Sequence, residues 1–160
     1  MSNLKQKLEN NDFVVTAETC PPKGPDLTEF IQKAKVLKGH ITAINITDNQ
    51  RAMLKFSALV ASGKLVQEGL EPIYQISCRD RNSLALQADL LGACALGIKN
   101  VLPLTGDPVR IGDHPEAKGV FEFESTKLLQ ALQKLNSGQD WFGNPLEGKT
   151  NFYAGAVVHA

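Results

Sequence analysis

Residues Phe13–Gly39 read FVVTAETCPPKGPDLTEFIQKAKVLKG. The run Phe13–Glu18 is apolar and β-branched and predicts a strand. Pro21, Pro22, Gly24 and Pro25 break the chain after it. Asp26 followed by Glu29 resembles a capping box. Leu27, Phe30, Ile31, Ala34 and Leu37 then recur at helical spacing, and Gly39 ends the helix. Strand, loop and helix form one unit of about 30 residues, the length of a βαβ step.

The same unit recurs downstream. A strand over Ile41–Thr47 precedes a helix carrying Leu54, Ala58, Ala61 and Leu65, closed by Gly69. A strand over Pro72–Cys78 precedes a helix capped by Asn82 or Ser83, with Leu84, Ala88, Leu91 and Ala95 on one face and Gly97 at its end. A strand over Asn100–Thr105 leads through a long Gly/Pro/Asp loop to a helix capped by Ser125, with Leu128, Leu129, Leu132 and Leu135. A loop over Asn136–Thr150 reaches a fifth strand, Phe152–Val158. Upstream, Leu4 and Leu8 share one side of a short helix. Such repetition predicts a parallel α/β sheet, either an open doubly wound sheet or a (β/α) barrel. Equal unit lengths favour the barrel.

Alternation along each strand separates two faces. Val14, Thr16 and Glu18 share one; so do Ala43, Asn45 and Thr47, and Ile73, Gln75 and Ser77. In the fourth strand the corresponding set is read as Val101, Pro103, Thr105 and Asp107, and in the fifth as Tyr153, Gly155, Val157 and His159. Glu18, Asn45, Thr47, Gln75, Ser77, Thr105 and Asp107 thus gather near C-terminal strand ends, where barrels and open sheets alike keep their sites. Any single Thr, Ser or Asn there is as readily a loop cap; Glu18 and Asp107 are less so, because an idle buried carboxylate is costly.

Composition narrows the function classes. The chain has 160 residues, enough for a single domain spanning 1–160, and 42% are apolar. Lys+Arg and Asp+Glu stand at 17 each, without a basic cluster, which argues against nucleic acid or an anionic membrane as partner. No apolar run approaches the roughly 20 residues of a membrane span, and Met1–Asp12 lacks a signal-peptide core. Three dispersed cysteines, Cys20, Cys78 and Cys94, fit neither a disulfide framework nor a zinc site and suggest a reducing, cytoplasmic setting. There is no G-x-G-x-x-G and no P-loop.

The rim residues lie within longer phrases: TAETCPPKG at Thr16–Gly24, INITDNQRA at Ile44–Ala52, SCRDRN at Ser77–Asn82, LTGDP at Leu104–Pro108 and GDHPEAK at Gly112–Lys118. In order and spacing these resemble the N-terminal part of methylenetetrahydrofolate reductases, from about Phe13 to Val158. The resemblance implies a (β/α)8 TIM barrel that holds FAD at its strand ends. It implies hydride transfer from NAD(P)H to the flavin and on to methylenetetrahydrofolate, within one-carbon metabolism and methionine biosynthesis. Glu18 matches the general acid that protonates a folate nitrogen. Asp107 matches the aspartate between flavin and folate. Thr47, Gln75, Thr105 and Gly106 match flavin contacts, although relatives often carry His at the position of Gln75 and Arg at that of Thr105. No metal is implied.

Other positions are more ambiguous. Asp48, Asn49 and Arg51 suit either the folate tail or an Asx-type turn. Arg79, Asp80 and Arg81 suit a solvated charge run with a local salt bridge better than an anion site. His114 suits either the flavin's ribityl–phosphate part or a surface loop. His159 stands where relatives in this branch carry Asn.

A closed barrel needs eight strands and typically about 250 residues; the reading finds a partial TIM barrel of about five parallel strands. The expectation is therefore a truncated barrel domain working as a homo-oligomer or with a complementing second chain. The alternative is a non-catalytic remnant or assembly subunit. A metal-dependent barrel enzyme is a third reading, disfavoured because the histidines fall in loops and at the terminus.

Overall fold

The computed structural model of the chain describes residues 1–158. Five strands form one parallel sheet: β1 (Thr16–Thr19), β2 (Ala43–Ile46), β3 (Pro72–Ser77), β4 (Asn100–Leu104) and β5 (Tyr153–Ala154), side by side in chain order. Helices α2 (Thr28–Val36), α3 (Ala58–Gln67), α4 (Ser83–Ala95) and α5 (Ser125–Ser137) connect them. An open doubly wound sheet reverses its strand order at a switch point. Here the order never reverses, so the winding is that of a partial TIM barrel.

Register fixes the two faces, because laterally paired residues point the same way. Ala17, Ile44, Ile46, Tyr74, Ile76 and Val101 face the helices, and from Ile44 onward they are fully buried in one continuous core. Glu18, Asn45, Ile73 and Gln75 form the opposite, inner face, which is more open. The helices bury matching stripes. In α5 this is Leu128, Ala131, Leu132 and Leu135, the i, i+3, i+4, i+7 pattern of an amphipathic helix. Gly69 ends α3 at φ +72°, where its N–H and that of Leu70 satisfy the last carbonyls. Below the sheet, α1 (Asn3–Glu9) closes the N-terminal end of the strands. Glu71 accepts the free N–H groups of Asn3 and Leu4 at 2.8 Å each and also binds Asn100 Nδ2 at 3.0 Å.

Several local expectations are corrected. In β4 the residues sharing the inner face are Leu102 and Leu104, not Val101, Pro103 and Thr105. β1 begins only at Thr16, leaving Phe13 89% exposed. β5 stops after Ala154. Lys99 and Val101 accept from Tyr153 and Gly155 on that edge, but the next β4 residue facing β5 is Pro103, which has no N–H to extend the ladder. Leu54 lies in a loop, and Ser57 caps α3. The Asp26–Glu29 capping box does not form: Asp26 accepts from Thr28 N–H, while Glu29 pairs with Lys33 one turn on. In α4 the buried stripe is Leu86, Leu90 and Ala93; Leu84 and Leu91 face outward, 76% and 41% exposed. Asn82 caps α4 as anticipated, accepting from Ala85 N–H at 2.9 Å.

Candidate active site

The inner face brings Glu18 and Gln75 together across β2. Gln75 Nε2 donates to Glu18 Oε2 at 3.2 Å. Between them stands Asn45, directly beside Glu18 in register, its Nδ2 donating to Ala17 O at 3.4 Å. Gln75 is 7% exposed, whereas Glu18 is exposed toward the open side of the face. At the end of β2, Thr47 is buried and its N–H is taken by Thr19 O at 3.2 Å, yet its hydroxyl has no partner among the described residues. A buried hydroxyl without a partner is costly, so Thr47 Oγ1 is a ready contact for a polar ligand atom.

The loops behind this face are held by buried charge. Asp48 accepts from Ser77 N–H at 2.9 Å and from Arg81 Nη1 at 2.7 Å, and Arg81 Nε reaches Asp89 at 2.8 Å. Arg79, 3% exposed, makes two 2.7 Å bonds to Asp80 and donates to Asn49 O at 3.2 Å. Burial acts to raise the Asp80 carboxyl, but the Arg79 guanidinium outweighs it and holds the group below the usual range. Arg79, buried, and Arg81, half-buried, are therefore braces and not the solvated run expected from their adjacency, although the expected local salt bridge forms between Arg79 and Asp80. Burial likewise pushes the Cys78 thiol up to about 11, which keeps it protonated and unreactive.

Above β4, Gly106 has φ +94°, and a Cβ there would lie 2.3 Å from Ser77 Oγ. Its glycine is required by this turn and by packing on β3. Asp107 is exposed, with Oδ2 accepting from Arg51 N–H at 3.1 Å. The loop that presents Arg51 is strained, with Asn49, Arg51 and Ala52 all at positive φ. Thr105 turns away from the inner face, and its Oγ1 accepts from Ser125 N–H at 3.1 Å, capping α5 from outside the helix. A further hub is Asp113, which the sequence reading passed over. It pairs with Lys23, accepts from Leu54 N–H at 2.9 Å and meets His114 Nδ1 at 2.9 Å, so that one carboxylate joins three rim loops. The Lys23 bond, followed by those from His114 and Leu54, holds that carboxyl well below the usual range. Its signal lay inside the GDHPEAK phrase, but its partners are remote in sequence.

Thus Glu18, Asn45, Gln75 and Thr47 gather at one edge. Ser77 stands with them on β3 and bonds its own loop, its Oγ accepting from Arg79 N–H at 3.2 Å. Among the described residues no hydrogen bond or ion pair joins Glu18 to Asp107, and no group of three or more His, Cys, Asp or Glu side chains is placed to hold a metal ion. No described helix is long and apolar enough to cross a membrane. His159 lies outside the described residues.

A comparison with curated proteins gave no match. The sequence family described as methylenetetrahydrofolate reductase matches residues 3–148, which takes in every strand except β5 and all of the rim loops. With a singly wound parallel sheet and a carboxylate–amide pair on its inner face, this match shows that the chain belongs to the methylenetetrahydrofolate reductase family.

Proposed function

We propose that the chain binds FAD along the C-terminal edge of its sheet and uses NAD(P)H to reduce methylenetetrahydrofolate to methyltetrahydrofolate. The observation that carries this reading is the Glu18–Gln75 pair on an open inner face, beside a buried Thr47 hydroxyl that lacks a partner among the described residues. The residues present fit the cofactor. Thr47 offers a free hydroxyl, and Leu102 and Leu104, half-buried on the same face, offer an apolar surface for a flat ring. Asp107, fixed by the Arg51 N–H, offers a carboxylate at the same edge. Thr105 is committed to α5, so its part in cofactor binding is the least supported.

Bound FAD would supply a carrier for the hydride that passes from nicotinamide to folate. The chain's own task is proton delivery. Glu18 gives its proton to a folate nitrogen, the adjacent C–N bond of the five-membered ring breaks, and the resulting iminium carbon accepts the hydride and becomes the methyl group. NAD(P)H is oxidised, the folate carbon is reduced by two electrons, and the proton ends on nitrogen. Glu18 is exposed in the free chain, so its carboxyl is open to a bound reactant.

The test is gel filtration of the purified chain with added FAD, followed by assays of NAD(P)H oxidation and folate reduction. Retained flavin absorbance with folate turnover is the expected result; loss of flavin on the column would overturn the cofactor assignment. In Glu18→Gln we expect flavin retention and nicotinamide oxidation with an artificial acceptor to persist, while folate reduction falls by at least about 100-fold, the low end for a general acid. Undiminished folate turnover in that variant would remove Glu18 as the acid.

A further inference from the structure

We propose that Gln75 is the positioning residue of the Glu18 carboxyl and selects which of its oxygens delivers the proton. This rests on the reading of Glu18 as the acid. The amide of Gln75 is the one hydrogen-bond partner of Glu18 among the described residues, at 3.2 Å to Oε2, and Glu18 forms no salt bridge there. The two partners differ in freedom. Glu18 is exposed, on a long flexible side chain, whereas Gln75 is 7% exposed and held in the middle of β3. A fixed donor bound to a free carboxyl orders the carboxyl.

The chemistry of the pair is compatible with both protonation states. An ionised Glu18 accepts the Nε2 proton at Oε2. A protonated Glu18 that carries its hydrogen on Oε1 still accepts at Oε2 through its carbonyl oxygen. The contact therefore survives proton transfer, and Oε1 remains the oxygen open to a substrate. On this face the register neighbour of Glu18 on β2 is Asn45, which in turn pairs with Ile73 on β3, and both are uncharged. The rim residues Arg51 and Asp107 belong to loops, where the backbone N–H of Arg51, not its guanidinium, donates to the Asp107 carboxylate. From α1, Lys7 bonds Thr42 and Lys5 lies over the Tyr153 ring, both at the far end of the strands.

The test labels glutamate at the carboxyl carbon and follows Glu18 by NMR against pH in the full chain, its signal assigned by its absence in Glu18→Gln. In Gln75→Met we expect the Glu18 midpoint to rise by about half a unit or more, as a carboxylate loses its only donor. Should that variant not fold, Gln75→Glu keeps the size and polarity and sets a second carboxyl beside the first; there the upper midpoint of the pair is expected to rise by more than about one unit. An unmoved midpoint in whichever variant folds overturns the proposal. Failure of the acid reading appears in a different sample, as folate turnover surviving in Glu18→Gln.

Discussion

Asp48 is only 2% exposed at its side chain, and the Arg81 guanidinium is its sole ionic partner among the described residues. Removing one member of such a pair leaves the other charge buried and uncompensated, which costs about 3–5 kcal/mol. We expect Arg81→Ala to lose stability on that scale in urea denaturation, and a loss under about 1 kcal/mol would show that water reaches Asp48. Asp107 is the contrasting residue, since its carboxylate is exposed and satisfied by a single backbone N–H. For Asp107→Ala we expect little change in stability but weaker flavin binding or a shifted flavin potential; an unchanged flavin spectrum, affinity and potential would take Asp107 out of the site. At this scale the inner-face residues of β1 to β3 were legible, because strand alternation alone places Glu18, Asn45 and Gln75 together. The braces were not. Arg79, Asp80 and Arg81 are neighbours in sequence, so a local pair was the natural reading, while Asp48 and Asp89 come to Arg81 only through the fold.

The helix α4 shows how an element can be recognised and its orientation missed. Its residues SLALQADLLGACA are apolar nearly all the way round, so Leu84–Ala88–Leu91–Ala95 and Leu86–Leu90–Ala93 both read as stripes. Periodicity cannot choose between two apolar faces; the sheet chooses, and it takes the second. We expect Leu90→Ala, at a fully buried position, to cost about 2–5 kcal/mol, and Leu84→Ala, 76% exposed, to stay within about 0.5 kcal/mol. Equal losses in the two variants would contradict this orientation. β4 was misread for a related reason. Thr105 and Asp107 are polar and two apart, which suggested one inward face, but the strand ends at Leu104 and the positive φ of Gly106 breaks the alternation between them. The start of α4 was legible because Asn82 carries its own cap, whereas the cap of α5 comes from Thr105, which lies 20 residues earlier.

Across the molecule, chain order and sheet order coincide, which is why the repeated unit disclosed the architecture before any contact was known. What the repeat does not disclose is how its units are tied. Asp113 joins three rim loops, Glu71 joins α1 to β4, and between these layers lies Tyr74, the largest fully buried side chain described. Its hydroxyl has no hydrogen-bond partner among the described residues. Burial, with Asp48 as the next contributor, pushes its ionisation far above the ordinary value near 10. The unfolded chain then loses the Tyr74 proton at about pH 10 while the folded chain keeps it. The stability this group contributes is intact below that pH and is lost above it, by about 1.4 kcal/mol per pH unit. The same hydroxyl already weakens the fold near neutrality, because a buried donor without an acceptor carries its full desolvation cost of about 1–3 kcal/mol. Tyr74→Phe keeps the ring and removes both effects. In urea denaturation we expect the variant to match or exceed the parent at pH 8, and its advantage to widen by roughly 1.4 kcal/mol by pH 11. Parallel pH profiles would mean that Tyr74 ionises alike in the folded and unfolded chain. A variant clearly weaker at pH 8 would mean that an internal water satisfies the hydroxyl and belongs to the tie between β3 and the Asp48–Arg81 pair.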